Sequence, residues 1–334
     1  MKTKRLDDIA CLRVFCILVV VLFHCYGMMY ADSHFPDTVS MYESLYFIPN
    51  QCIFINIAMP MFVFVSGYLF EYLLFRGKYP TWGNLFKKKG VRILLPYFVF
   101  GLFFMATTGN WHPLQLLNGG YWHLWFLSML FWCFIVGYGL HRINSDIRIE
   151  IVILVIFFGG RLVPPEVLPS WFGLHGIPRW FYWFYLGMLS NKYRDALFGN
   201  FGGVKLAWML LLISIAILCL YPVAYGETGG INDITVTSSV LSISYLMSRV
   251  AWGKFKLTSH LVKFSTYSFG IYIWHNWVAL MLISKTSQRI FGLPELAANH
   301  VILFPLCFSL ITLAISWGLS WAMMKTKAGR VLIG

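Results

Sequence analysis

Apolar residues in this chain run in long blocks instead of alternating, and most polar residues collect between the blocks. A helix rises about 1.5 Å per residue and needs about 20 residues to cross the hydrocarbon of a bilayer. Ten segments approach that description, at 12–30, 54–75, 92–108, 121–140, 149–166, 174–191, 204–223, 235–251, 265–284 and 301–323. The sixth is short and aromatic, and the eighth, TVTSSVLSISYLMSRV, is semi-polar, so eight or nine crossings also fit. A semi-polar span belongs among other helices, away from lipid. The pattern predicts an all-α, polytopic membrane protein of about ten transmembrane helices, built as a single integral domain over 1–334.

Composition narrows the class. Hydrophobic residues make up 59% of the chain and charged residues 12%, with a mean hydropathy of +0.69. A soluble domain carries about 25% charged residues. Half that charge cannot cover a water-facing surface, which argues against a soluble enzyme, a disordered chain or a secreted disulfide scaffold. The net charge of +13 would suggest nucleic acid for a soluble protein. Here the charges sit between apolar blocks, so topology explains them and no nucleic-acid partner is expected.

With both termini and alternate loops placed in the cytoplasm, nearly every lysine and arginine falls inside, from Lys2, Lys4 and Arg5 to Lys325, Lys327 and Arg330. Only Arg161, Arg179, Lys285 and Arg289 fall outside. Acidic residues divide almost evenly, so the asymmetry belongs to Lys and Arg, as the positive-inside rule requires. Removing one span inverts the downstream half and destroys the pattern. The first apolar block is followed by others and is expected to stay as a membrane helix, not a cleaved signal. The seven cysteines include no CxxC and no metal-like cluster, and read as small buried hydrophobes. No metal is expected, and no repeat or heptad sets an oligomeric state.

Candidate chemistry sits where polar groups are costly. In RLDDIACLRVFCILVVVLFHC, Arg13 and His24 are separated by three helical turns plus about 20°, so they share one face about 16 Å apart. His24 either ties helices together or takes a proton from a hydroxyl as its oxygen attacks an acyl carbon. Arg13 either anchors the helix by snorkelling or holds an anionic group from the cytoplasm. Asp7 and Asp8 are placed to cap the helix or to orient basic partners. In PMFVFVSGYLFEYL, Gly67 permits close helix approach, Ser66 offers a hydroxyl, and Glu71 pairs with a base or ends the span. In KKKGVRILLP, Lys88, Lys89 and Arg92 form either a lipid-facing basic loop or a clamp for a phosphorylated donor. His123, in GGYWHLWFLSML, is an interfacial histidine or an acceptor contact. In STYSFGIYIWHNW, Ser268, Tyr272 and His275 trace one polar stripe, for structure or for substrate. The aromatic runs at 121–126 and 179–185 serve packing and interfacial belts, or line an outward-facing carbohydrate site.

Taken in order, these motifs resemble the acyltransferase-3 family of integral-membrane enzymes that modify cell-surface polysaccharides. The resemblance rests on Asp7, Arg13 and His24, then FVFVSGYLF, GVRILLP, HLWFL, WFYLGM and GIYIWH, and it spans nearly the whole membrane region. The family often has an Arg-x-x-Arg pair where this chain has Lys89 and Arg92, and lysine lacks the bidentate fork. VFC follows Arg13 in place of a small-residue step. The resemblance implies a stand-alone membrane acyltransferase in a bacterial cytoplasmic (inner) membrane. It implies an acyl-CoA donor, usually acetyl-CoA, with its phosphates held by Arg13, Lys89 and Arg92. His24 would be the general base and Ser66 would position an oxygen. His123, Tyr272 and His275 would contact the acceptor, a hydroxyl of a lipid-linked or surface glycan. Succinyl and acetyl donors stay open, as do direct transfer and a covalent intermediate. A transporter or flippase for a lipid-linked saccharide is the alternative; no inverted repeat or paired helix breaks support it.

Overall fold

The computed structural model describes residues 6–30, 39–143, 146–164, 167–221, 230–284 and 291–334. Among them there are helices and turns and no strand. In chain order the helices are α1 (Asp7–Tyr30), α2 (Val39–Tyr46), α3 (Ile55–Phe75), α4 (Trp82–Lys89), α5 (Leu95–Thr108), α6 (Trp125–Ile143), α7 (Ile147–Gly160), α8 (Ile177–Lys192) and α9 (Arg194–Gly199). They continue with α10 (Val204–Leu220), α11 (Gly230–Arg249), α12 (Leu257–Ser265), α13 (Ser268–Leu282), α14 (Leu293–Asn299), α15 (Leu303–Met324) and α16 (Lys327–Ile333). Two π-helical stretches, Phe47–Phe54 and Gly90–Leu94, lead into α3 and α5.

Five stretches are long and apolar enough to cross a membrane: Asp7–Met29, Met41–Phe75, Trp82–Thr108, Pro113–Ile143 and Leu303–Met324. The chain is a multi-pass membrane protein. A helix also stands at each of the other segments expected from the hydropathy pattern. Of these, α7, α8 and α13 have 14, 16 and 15 residues. Fourteen residues rise only about 21 Å, short of a bilayer core of about 30 Å.

Local chemistry sets several boundaries. Asp8 accepts the Ile9 N–H at 2.9 Å in the first turn of α1, where a negative charge meets the positive end of the helix dipole. Thr81 caps α4 by accepting from Asn84 N, and Thr326 caps α16 by accepting from Gly329 N. Gly109 ends α5 in the left-handed conformation, at φ 72°. In the semi-polar α11, Thr235, Thr237, Ser239 and Ser244 donate to the carbonyls of Ile231, Asp233, Thr235 and Val240, four residues back, at 2.7–3.1 Å. These four hydroxyls enter an apolar setting already bonded, which is how Thr235, Ser239 and Ser244 can be buried.

The chain divides into two compact units. Met1–Met59, Val204–Glu227 and Ile231–Gly334 form the first, and Pro60–Gly203 with Thr228–Gly230 forms the second. In the first, α1 packs on α2, α12, α13 and α15, and α13 packs on α15. In the second, α8 packs on α6, α7 and α9. A reciprocal glycine contact joins α3 and α8 there. A Cβ on Gly67 would overlap the Phe184 carbonyl, and one on Gly187 would overlap the Phe64 carbonyl. The close approach expected at Gly67 is therefore real, and its partner is a second glycine.

The aromatic run on α8 is core. Trp180, Phe181, Tyr182, Trp183, Phe184 and Tyr185 are all buried. Phe157 of α7 stands 4.4 Å from Phe181, and Phe134 of α6 stands 5.1 Å from Phe184, between ring centroids. Packing is the structural role of this run. Of the seven cysteines, Cys11, Cys16, Cys25, Cys52 and Cys133 are buried as expected, whereas Cys219 and Cys307 are exposed on α10 and α15.

Candidate functional site

The polar stripe of α13 and the polar face of α1 meet in the first unit. Arg13 Nη2 donates to Ser268 Oγ at 2.9 Å, and Ser268 in turn donates to the Ser265 carbonyl at 2.7 Å. Further along, the rings of His24 and His275 stand 5.0 Å apart between centroids, tilted by 53°. Both pairings advance in the same chain direction, so α1 and α13 run parallel. The shared face of Arg13 and His24, legible from their spacing, is the face that α13 covers.

The two histidines differ in setting. His275 is fully buried, and its Nδ1 lies 2.6 Å from the Tyr272 carbonyl and 3.2 Å from that of Ile271. A carbonyl oxygen only accepts, so Nδ1 carries the hydrogen, and in the neutral ring Nε2 is the lone-pair nitrogen. His24 is half-buried. Tyr272 borders the pair, its ring 5.9 Å from that of His275. A tethered, buried imidazole thus holds a position beside a more accessible one. Such an arrangement suits proton transfer, with one ring reacting and the other fixing its orientation. Sequence spacing identified each face separately. That these two faces meet, across some 250 residues of chain, carries no local signal.

Ser66, Glu71, Lys89, Arg92 and His123, also singled out by sequence, lie in the second unit. Ser66 Oγ donates to the Phe62 carbonyl of its own helix at 2.8 Å. His123 is buried, 6.0 Å from the Phe104 ring. Lys89 does not extend into open space: its ammonium lies 3.2 Å from the centre of the Phe134 ring, with Phe70 and Tyr79 at 5.2 and 5.4 Å. Arg92, in the π-helical turn that follows, is exposed. Glu71 pairs with His141 Nδ1 at 2.9 Å, the basic partner foreseen as one of its two roles. Among the described residues no group of three or more His, Cys, Asp or Glu is placed to hold a metal ion.

Sequence reasoning passed over three other polar contacts of the second unit. Arg161 donates to the Arg179 carbonyl and lies over the Trp183 ring, and Arg194 donates to the Tyr68 hydroxyl. Lys192, at the end of α8, pairs at 2.6 Å with Glu150, which is only 5% exposed. Their signal was present as charges at the edges of apolar blocks, but partner choice was not. Lys192→Ala, which strands the Glu150 carboxylate, is expected to cost about 3 kcal/mol. Glu150→Leu combined with Lys192→Leu should recover most of it, read as thermal midpoints in detergent. A single variant as stable as the parent would show the pair to be idle.

Compared with known proteins, residues 6–321 match a family model described as an acyltransferase domain. No curated protein and no solved structure shows a significant match.

Proposed function

The chain belongs to this acyltransferase family, and on that premise we propose that it transfers an acyl group, from acetyl-CoA or another acyl-CoA, to a hydroxyl of a lipid-linked or cell-surface saccharide. The observation that carries the reading is the His24–His275 pair, 5.0 Å apart on parallel helices with Arg13 fixed on the same face. His24 takes the proton of the acceptor hydroxyl as its oxygen attacks the thioester carbonyl. The carbon–sulfur bond breaks, an ester forms, and the coenzyme leaves as a thiol after receiving the proton. His275 holds the His24 ring, and with Tyr272 it borders the acceptor. Arg13 receives donor phosphate with its guanidinium group. Direct transfer is preferred to an acyl-serine intermediate, because Ser66 Oγ donates to the Phe62 carbonyl of its own helix.

The same reading places the protein in a bacterial cytoplasmic membrane, with both termini inside and Arg13 toward the cytoplasm. Parallel α1 and α13 are consistent with the span order alone, since as the first and ninth of ten segments they are separated at their starts by an even number of crossings. The test uses the purified protein in liposomes with acyl-labelled acetyl-CoA and a lipid-linked saccharide. Acceptor-dependent release of free thiol, with label on the saccharide, is expected. Passage of unmodified saccharide-lipid across the bilayer, without thiol release, would make the protein a transporter instead.

Arg13 has its own signature. Arg13→Ala is expected to raise the KM for the acyl-CoA donor at least tenfold with a smaller fall in kcat, because it removes a binding contact and leaves the imidazole in place. Unchanged KM and kcat would remove Arg13 from the donor site.

A further inference from the structure

A cavity of about 730 Å³ lies in the first unit on the other side of α1. Its walls include Phe15 and Val19 of α1, Trp208 and Leu211 of α10, and Ile243 and Met247 of α11. At about 100° per residue, Phe15 and Val19 stand roughly 200° and 240° around the helix from Arg13. His24 stands only about 20° from it. The cavity and the histidine pair therefore occupy opposite faces of the same helix.

Its lining is apolar, with Arg249 the one charged residue among the described residues that form it. The volume falls within the usual range of ligand pockets. In a bilayer the available filler of an apolar groove is a hydrocarbon chain. The charged end is well defined. Val204 begins α10 and Arg249 ends α11, and both line the cavity. The Arg249 guanidinium lies 4.8 Å from the Tyr245 ring centre and is exposed. Trp252, also in the lining, is held by its indole N–H on the Met247 carbonyl at 2.8 Å. Exposed Lys205 and Lys254 adjoin the lining residues in sequence, so the local charge is positive. A tryptophan and cations at the end of an apolar groove match the headgroup level of a membrane.

We propose that this cavity binds an anionic phospholipid, with an acyl chain along the back of α1 and its phosphate at Arg249. The site is separate from acyl transfer, and its test does not depend on that reaction. The full-length protein is titrated with phosphatidylglycerol and with phosphatidylcholine of the same chains, and bound lipid is counted by native mass spectrometry. One phosphatidylglycerol should be retained at least tenfold more tightly than phosphatidylcholine. Arg249→Gln should abolish that preference, and Leu211→Phe, which narrows the groove, should weaken retention of both lipids. Equal retention of the two lipids by the parent protein, or unchanged retention in both variants, would overturn the proposal. Displacement of phosphatidylglycerol by a polyisoprenyl phosphate or an acyl-CoA at lower concentration would overturn it too, by assigning the cavity to acceptor or donor.

Discussion

His24→Ala is expected to lower acyl transfer by about 10²- to 10⁴-fold, the contribution of a positioned general base, with insertion and thermal midpoint close to those of the parent. The expectation follows from setting. His24 is half-buried on α1, whereas its neighbour His275 is fully enclosed and bonded to its own helix. The accessible ring is the one that can meet a hydroxyl. His24→Gln separates the roles. Glutamine keeps a hydrogen-bonding side chain but cannot take a proton, so a base role predicts the same loss as alanine. A purely structural role predicts recovery with glutamine. Turnover of labelled acyl-CoA by protein in liposomes reads both.

Gly67→Val or Gly187→Val is expected to prevent stable folding of the second unit. Overpacking typically costs about 1–3 kcal/mol when side chains can shift. Here the added carbon would overlap a main-chain carbonyl, of Phe184 in one case and Phe64 in the other, so α3 and α8 would have to part. Around that contact lie the buried rings of Phe64, Phe70, Phe181 and Phe184, and separating the helices loosens all of them. Both variants should lose monodisperse protein on extraction in detergent. Gly27→Ala is the control: a Cβ there meets nothing within 4 Å, and the change should be neutral or slightly stabilising. Well-behaved valine variants would mean that the two helices do not need the approach that these glycines permit.

The sequence was informative where a property is local and periodic. Apolar blocks marked where helices stand, and the eleven-residue step from Arg13 to His24 identified a face that is now seen packed on α13. The Ser268, Tyr272 and His275 stripe was legible in the same way. Three kinds of feature were not. Pairing between distant helices, such as His24 with His275 or Glu150 with Lys192, is a tertiary choice without a local trace. Side-chain aim is another: the charge of Lys89 was plain, but its enclosure by Phe134, Phe70 and Tyr79 depends on three separate segments. The third is the structure of connecting segments. The helices α4 and α12 stand between the apolar blocks, where short amphipathic turns with polar faces resemble loops in a hydropathy profile.

The account stands or falls on whether His24 and His275 act as one proton-handling unit. A double-mutant cycle on acceptor-dependent thiol release measures this directly, with His24→Ala, His275→Ala and the combined variant compared in the same liposomes. If the rings work together, the double variant is no slower than His24→Ala alone, because the second loss has nothing left to remove. Losses that multiply in the double variant, as for two independent residues, would contradict the account.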